Sequence, residues 1–170
     1  MMKRIITILL LMLPVTLYAQ TSICGVDFGA SYSTAERMLE NKFGYKHFLS
    51  DRTQIIFENK MYAGITWDKL MFLFQSDGTI SYLNRAILVR ESKTAAEAKE
   101  NRDALKRQME DKYFIMDFTD EKSGFKYYMG GSNPTNPSYP GFTIDIIKYS
   151  NGTYGTRLDY GPYDYVKEEL

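Results

Sequence analysis

The chain has very few of the residues from which most catalytic and metal centres are built. Its 170 residues include one cysteine, Cys24, and one histidine, His47. Because a structural zinc site needs several His, Cys or carboxylate ligands, we do not expect one. A Ser-His-Asp triad or a Cys-His dyad would have to use His47, and no hydrolase motif accompanies this residue. The sequence has no Gly-rich phosphate loop and no dinucleotide-binding fingerprint, so we predict no cofactor.

The chain also lacks an excess of charge of either sign. Its 21 Lys and Arg residues balance 21 Asp and Glu residues. Such a balance offers no broad positive surface, so nucleic acid is not an expected partner. A small hydrolase could still use two carboxylates. The candidates by residue type alone are Asp117, Asp120, Glu121, Asp145 and Asp159. No spacing places two of them together, and we predict that the protein is not an enzyme.

Long hydrophobic runs are absent as well. The main apolar stretch covers residues 5–13, follows two basic residues and precedes Pro14. A membrane-spanning helix needs about 20 apolar residues, so this stretch is too short. A basic start, a short apolar core and a small residue at Ala19 are typical of a signal peptide. We therefore predict a signal peptide over residues 1–19, export to the periplasm or the extracellular space, and no transmembrane segment in the remaining 151 residues.

Cys24 lies close to the predicted new N-terminus, which raises the question of a lipid anchor. A lipoprotein signal requires a small residue directly before the cysteine, and here that residue is Ile23. We therefore predict that Cys24 is not lipidated. A lone thiol in an oxidising compartment either lies buried or pairs with another chain. Burial is the usual state of a free cysteine, and we expect it here.

The remaining residues show helical spacing followed by strand alternation, twice. In the first half, about residues 25–91, Ser33 and Glu36 have the spacing of a capping box, and Gly44 is placed to end the helix. In the second half, about residues 92–170, Thr94 and Glu97 repeat that spacing before an apolar stripe interrupted by Arg102.

Three strands follow the first predicted helix, and three or four follow the second. The dipeptides Asp77-Gly78 and Asn151-Gly152 are hairpin signals, which favour antiparallel pairing. We predict one α+β domain over residues 20–170, built of two helix-plus-three-strand units in tandem, with the helices packed on one face of an antiparallel sheet.

A glycine, a capped helix and a second glycine before the strands give the chain a family resemblance. The residues that carry it are Gly29, Ser33, Glu36, Leu39 and Gly44. Through these residues the chain resembles the small exported helix-then-sheet modules of the BamE/SmpA outer-membrane lipoproteins and of the β-lactamase-inhibitor proteins. Its doubled layout is closer to that of the β-lactamase-inhibitor proteins. The resemblance implies a protein-binding module with no catalytic centre. The chain also resembles uncharacterised secreted proteins of gut bacteria, which share its "AQ" signal end and Tyr-rich strands.

Two segments hold the residues that we expect to contact a partner. The segment "GGSNPTNPSYPGF", residues 130–142, contains three of the five prolines. Prolines reduce the entropy that a loop loses on binding, although such a loop can equally serve to end strand pairing at a sheet edge. In the C-terminal segment we expect Tyr163 and Tyr165 to be exposed, and Tyr154 and Tyr160 to pack within the sheet. The candidate interaction residues are Asn133, Pro134, Asn136, Pro137, Tyr139, Pro140, Tyr163 and Tyr165.

The predicted function is that of an exported, non-catalytic module that binds an envelope or extracellular protein. One alternative is a carbohydrate-binding module that uses the same aromatic residues, and another is a small hydrolase with a carboxylate pair. A wide surface of loop and aromatic residues would favour the first function, and coplanar Tyr rings in a shallow groove the second. Two facing carboxylates, one with a raised pKa, would favour the third.

Overall fold

The computed structural model describes residues 21–46, 52–76, 78 and 80–164. In chain order the helices and strands are β1 (Ser22–Ile23), β2 (Val26–Asp27), α1 (Tyr32–Phe43), β3 (Gln54–Tyr62), β4 (Ile65–Ser76), β5 (Ser81–Ser92), α2 (Ala95–Glu110), β6 (Ile115–Thr119), β7 (Lys126–Gly130), β8 (Phe142–Lys148) and β9 (Tyr154–Tyr160). The predicted signal peptide, His47, Asp77 and Tyr165 lie outside the described residues. Neither described helix is long and apolar enough to cross a membrane.

Seven of the strands form one antiparallel sheet in the order β3-β4-β5-β9-β8-β7-β6, and β1 and β2 form a separate pair. The first three strands of the large sheet form one meander and the last four form another. The meanders join where β5 pairs with β9. The predicted α+β class with an antiparallel sheet is therefore confirmed. The tandem of two helix-plus-three-strand units is not confirmed, because four strands follow α2 and all seven belong to one sheet.

Both helices bury their apolar side chains in a single core against this sheet. Leu39 of α1 and Leu105 of α2 belong to the same cluster as Leu88 of β5. Because successive side chains of a strand point to opposite faces, one face of the sheet supplies the core. The other face bears the alternate residues, such as Ile87 and Arg157. We call this side the open face, because neither helix packs on it.

Helix α1 begins two residues before the capping box that the sequence predicts. Ser31, and not Ser33, is the N-cap, and its hydroxyl accepts a hydrogen bond from the Thr34 N–H at 3.3 Å. The carboxylate of Glu36 pairs instead with an amine outside the helix. The end of the helix is confirmed: Gly44 has a positive φ of 82°, and its N–H donates to the last turn. Such a backbone conformation favours glycine.

Helix α2 begins where its capping residues predict and buries the arginine that interrupts its apolar stripe. Thr94 accepts a hydrogen bond from the Glu97 N–H at 3.2 Å. Arg102 is only 4% exposed, and its guanidinium donates to the Lys126 carbonyl oxygen at 2.7 Å. The guanidinium carbon also lies 5.2 Å from the centre of the Tyr128 ring, which provides a cation–π contact. Arg102 therefore joins α2 to β7.

Candidate functional site

The Pro-rich segment between β7 and β8 is folded around one buried side chain, that of Asn133. Asn133 is 7% exposed, and its side-chain oxygen accepts hydrogen bonds from the N–H groups of Thr135 and Asn136 at 2.9 and 3.1 Å. The Thr135 hydroxyl donates to the same oxygen at 2.8 Å. An asparagine that replaces backbone acceptors in this way is typical of a tight turn. The Asn133 N–H also donates to the Tyr139 carbonyl oxygen at 3.2 Å, which closes the loop.

The C-terminal segment packs against this loop through Tyr163, and the expectation that Tyr163 is exposed is wrong. Its side chain is 0% exposed, and its hydroxyl donates to the Gly141 carbonyl oxygen at 2.5 Å. Its ring meets the Phe28 ring edge to face, with 4.4 Å between the ring centres. Tyr163 therefore supports the loop from the side of the core, and its buried side chain is unavailable to a partner in this conformation. Tyr165, the other tyrosine predicted for this surface, lies outside the described residues.

A groove of about 560 Å³ lies between the loop and the segment that follows β9. Its lining residues are Asn133, Thr135, Asn136, Tyr139, Pro140, Gly161, Pro162 and Asp164. Tyr139 is its aromatic member, with 62% of its surface exposed. The Asp164 N–H donates to the Thr135 hydroxyl at 3.1 Å, which holds the two walls together.

Four of the eight predicted interaction residues belong to this lining, namely Asn133, Asn136, Tyr139 and Pro140. Pro134 is half-buried and Pro137 exposed elsewhere on the same loop. Sequence reasoning missed Thr135 and the wall formed by residues 161, 162 and 164. The signal for that wall was weak, because its position depends on β9 reaching the centre of the sheet.

The open face of the sheet carries two bidentate ion pairs between neighbouring strands. Arg85 of β5 donates two hydrogen bonds to Asp159 of β9, at 2.9 and 2.6 Å. Arg157 of β9 donates two to Asp145 of β8, its direct cross-strand neighbour, at 2.9 and 2.5 Å. Asp159 is 4% exposed although no helix covers it. Bidentate pairing of this kind satisfies a buried carboxylate, so these groups fix the alignment of three strands.

The other carboxylates considered for a hydrolase also make structural contacts, except Glu121, which is exposed. Asp117 lies 3.4 Å from the amine of Lys106. Asp120 accepts hydrogen bonds from the Ser123 N–H and hydroxyl, which lower its pKa below the ordinary value. A general acid needs its pKa raised, so this environment acts in the opposite direction.

Cys24 is buried, as expected, with 5% of its surface exposed. Burial raises the pKa of its thiol to about 12, with smaller opposing effects of the Lys42 amine and the Tyr62 hydroxyl. The Lys42 amine donates to the Cys24 carbonyl oxygen at 3.1 Å. A thiol with so high a pKa is a poor nucleophile.

In comparisons with protein families, curated proteins and solved structures, nothing matches this chain. The resemblance to small exported helix-then-sheet modules stays a prediction.

Proposed function

We propose that this chain is a non-catalytic module that binds another protein, and that the groove beside the Pro-rich loop is its contact surface. The observation that carries the proposal is the exposure of Tyr139, at 62%, on a loop whose backbone is held by internal hydrogen bonds. Tyrosine combines a large apolar face with a polar tip and is enriched at protein interfaces. The partner is a protein of the cell envelope or the extracellular space, in keeping with the predicted signal peptide.

The loop is suited to binding because it is ordered before a partner arrives. The Asn133 side chain holds the turn of the loop, and Tyr163 supports the loop from the core. On the other side of the groove, the Asp164 N–H donates to the loop. A contact made by an ordered loop loses little conformational entropy, so more of the contact energy appears as affinity.

The groove also has the composition of an interface. Pro140, Pro162 and the Tyr139 ring provide an apolar centre, while Asn136 and Asp164 provide polar groups beside it. Protein interfaces commonly place apolar and aromatic residues at the centre and polar residues at the rim. The groove therefore fits a partner that inserts one apolar side chain between Tyr139 and Pro162.

The proposal is tested by affinity capture from the native cell envelope, with mature protein beginning at Gln20 as the bait. A Tyr139→Ala variant removes the exposed ring. Tyr45→Ala serves as the matched control, because Tyr45 is 94% exposed just after α1 and does not line the groove. We expect one partner to be retained by the original protein and by Tyr45→Ala, and lost by Tyr139→Ala. With the purified partner, the Tyr139 substitution should weaken binding about 30-fold, the effect of a typical hot-spot residue. Equal capture by all three baits, or capture by none, would refute the proposal.

A carbohydrate is the second candidate ligand, because the groove places the Tyr139 ring beside the Asn136 and Asp164 side chains. An aromatic ring that stacks on a sugar, together with amide and carboxylate groups for its hydroxyls, is the chemistry that such sites require. A glycan array probed with the same three proteins separates the two ligands. A glycan signal that disappears only with Tyr139→Ala would replace the protein partner with a sugar.

A further inference from the structure

The two edges of the large sheet differ in how they are protected. Of the strands that the structure describes, β3 and β6 lie at the edges. Edge strands present unpaired backbone groups, which charged side chains and irregular backbone commonly shield. Strand β3 carries Glu58 and Lys60, and between them Asn59 adopts a positive φ of 52°. Strand β6 lacks a comparable irregularity in its backbone.

Strand β6 and the residue that precedes it expose three large apolar side chains on the open face. Phe114, immediately before the strand, is 76% exposed, and Met116 and Phe118 are 45% and 37% exposed. They alternate along the chain, so they point to one side. Phe118 stacks on Tyr127 of β7 with ring centres 5.3 Å apart and 19° between the ring planes. Contiguous exposed apolar residues at an edge mark a site of association.

We infer that β6 is an interface for a second copy of this chain, which pairs with it antiparallel about a two-fold axis at Met116. In this register Met116 of one copy lies opposite Met116 of the other. Phe114 of each copy lies opposite Phe118 of the other, which gives two such aromatic pairs. Cross-strand aromatic pairs stabilise antiparallel sheets, and the spacing of the three residues is the same read in either direction. The apolar edge is therefore complementary to itself.

Charges beside the strand favour the same register. Lys112 precedes β6 and Asp120 follows it, and both are exposed. Pairing about Met116 brings Lys112 of each copy toward Asp120 of the other. Moving the axis by one residue to Asp117 would instead place two Asp117 carboxylates opposite each other and Lys112 toward Lys122, and like charges in these positions repel.

The contact is small, with one short strand and three exposed apolar side chains from each copy. Interfaces of this size are typical of weak and reversible association. The dimer therefore forms in a concentration-dependent equilibrium with the monomer. The loop groove is no part of this contact, so the two proposals stand or fall separately.

Disulfide trapping tests the register. Opposite residues of an antiparallel pair have Cα atoms roughly 4.5–5.5 Å apart, within disulfide range. Mild oxidation of Met116→Cys should give a covalent dimer on a non-reducing gel. Phe118→Cys is the matched control, because the proposed register separates the two Phe118 positions by four residues, about 13 Å. The original protein, whose only thiol is buried, sets the background.

Sedimentation velocity over a range of concentrations tests the association itself. The original protein and Met61→Lys, a control on the opposite edge where Met61 is 71% exposed, should sediment faster as concentration rises. Met116→Lys should sediment as a monomer throughout, with an unchanged melting temperature. Trapping through Phe118→Cys, equal trapping at both positions, or no trapping together with no concentration dependence would overturn the inference.

Discussion

Replacing Asn133 by alanine tests whether the Pro-rich loop is held by a single buried side chain. The substitution removes the oxygen that accepts hydrogen bonds from the Thr135 N–H, the Thr135 hydroxyl and the Asn136 N–H, at 2.9, 2.8 and 3.1 Å. The chain contains a matched control at the turn between β8 and β9. There the side chain of Asn151 accepts from the Thr153 N–H and hydroxyl at 3.0 and 2.7 Å, but Asn151 is exposed.

Burial determines the expected difference between these two sites. One hydrogen bond contributes about 1 kcal/mol net, and a buried donor left without an acceptor costs about 1–3 kcal/mol. Three donors lose their acceptor at Asn133, but the exposed side of the loop lets water reach some of them. We therefore expect Asn133→Ala to lower the free energy of unfolding by about 2 kcal/mol. Asn151→Ala should lower it by about 0.5 kcal/mol, because water replaces the lost acceptor.

Urea unfolding of the two variants measures these free energies, and hydrogen exchange locates the change. In Asn133→Ala the amides of Thr135, Asn136 and Tyr139 should exchange faster, while those of the central strands keep their order of protection. Equal losses of stability for the two variants, or unchanged exchange in the loop, would refute the view that the buried asparagine organises it.

Three further predictions test other parts of the fold. Gly161→Ala should lower the free energy of unfolding by about 3 kcal/mol or more, because φ is +93° there and a Cβ would lie 2.5 Å from a carbonyl oxygen of β5. The control Gly152→Ala has a similar φ of +85° but open space around the Cβ position, so it should lower the free energy of unfolding by only about 1 kcal/mol. Asp159→Asn should lower the free energy of unfolding, measured in urea, by about 2 kcal/mol, which allows for the partial exposure of Arg85. A loss below about 0.5 kcal/mol would show that the ion pair between Arg85 and Asp159 contributes little to stability. Burial raises the pKa of the Cys24 thiol from 9.0 to about 12, so stability should be lost as pH rises above about 9, where only the unfolded thiol ionises. Urea titrations at pH 8 and pH 10 should show a fall that is about 1 kcal/mol larger in the original protein than in Cys24→Ala, because burial also raises the pKa of Tyr62 and Tyr160, which contribute to the fall in both proteins. An equal fall in the two proteins would assign the whole effect to those other groups.

The sequence predicts those features of the fold that depend on neighbouring residues. Gly44 ends α1 and Thr94 begins α2 because caps need only a local turn and one nearby donor. The start of α1 was missed because Ser31 and Ser33 both fit a cap locally. Ser31 also forms an antiparallel bridge with Tyr82 of β5, and that distant contact selects it.

The order of the strands and half of the site depend on distant contacts, which periodicity does not encode. Hairpin signals predict that neighbours in sequence pair, but the pairing of β5 with β9 joins residues about seventy positions apart. Tyr163 was expected to be exposed because it follows Gly161-Pro162 near a charged end. It is buried because β9 lies at the centre of the sheet, so the chain that leaves it remains over the core.

The central position of β9 also makes the groove dependent on the whole sheet. Tyr163 is three residues from the end of β9, and it reaches Gly141 only when β9 has paired with β8 on one side and β5 on the other. A change that separates the two meanders therefore removes the support of the loop without altering the loop sequence. Leu88→Ala, at the junction and 0% exposed, should lower the free energy of unfolding by about 3 kcal/mol. In that variant the backbone amides of the Pro-rich loop and those of β9 should both exchange faster with solvent, because a single local unfolding of β9 exposes both segments. A loop that stayed protected while β9 exchanged would show that it folds independently, and the groove would then be a property of the β7–β8 connection alone.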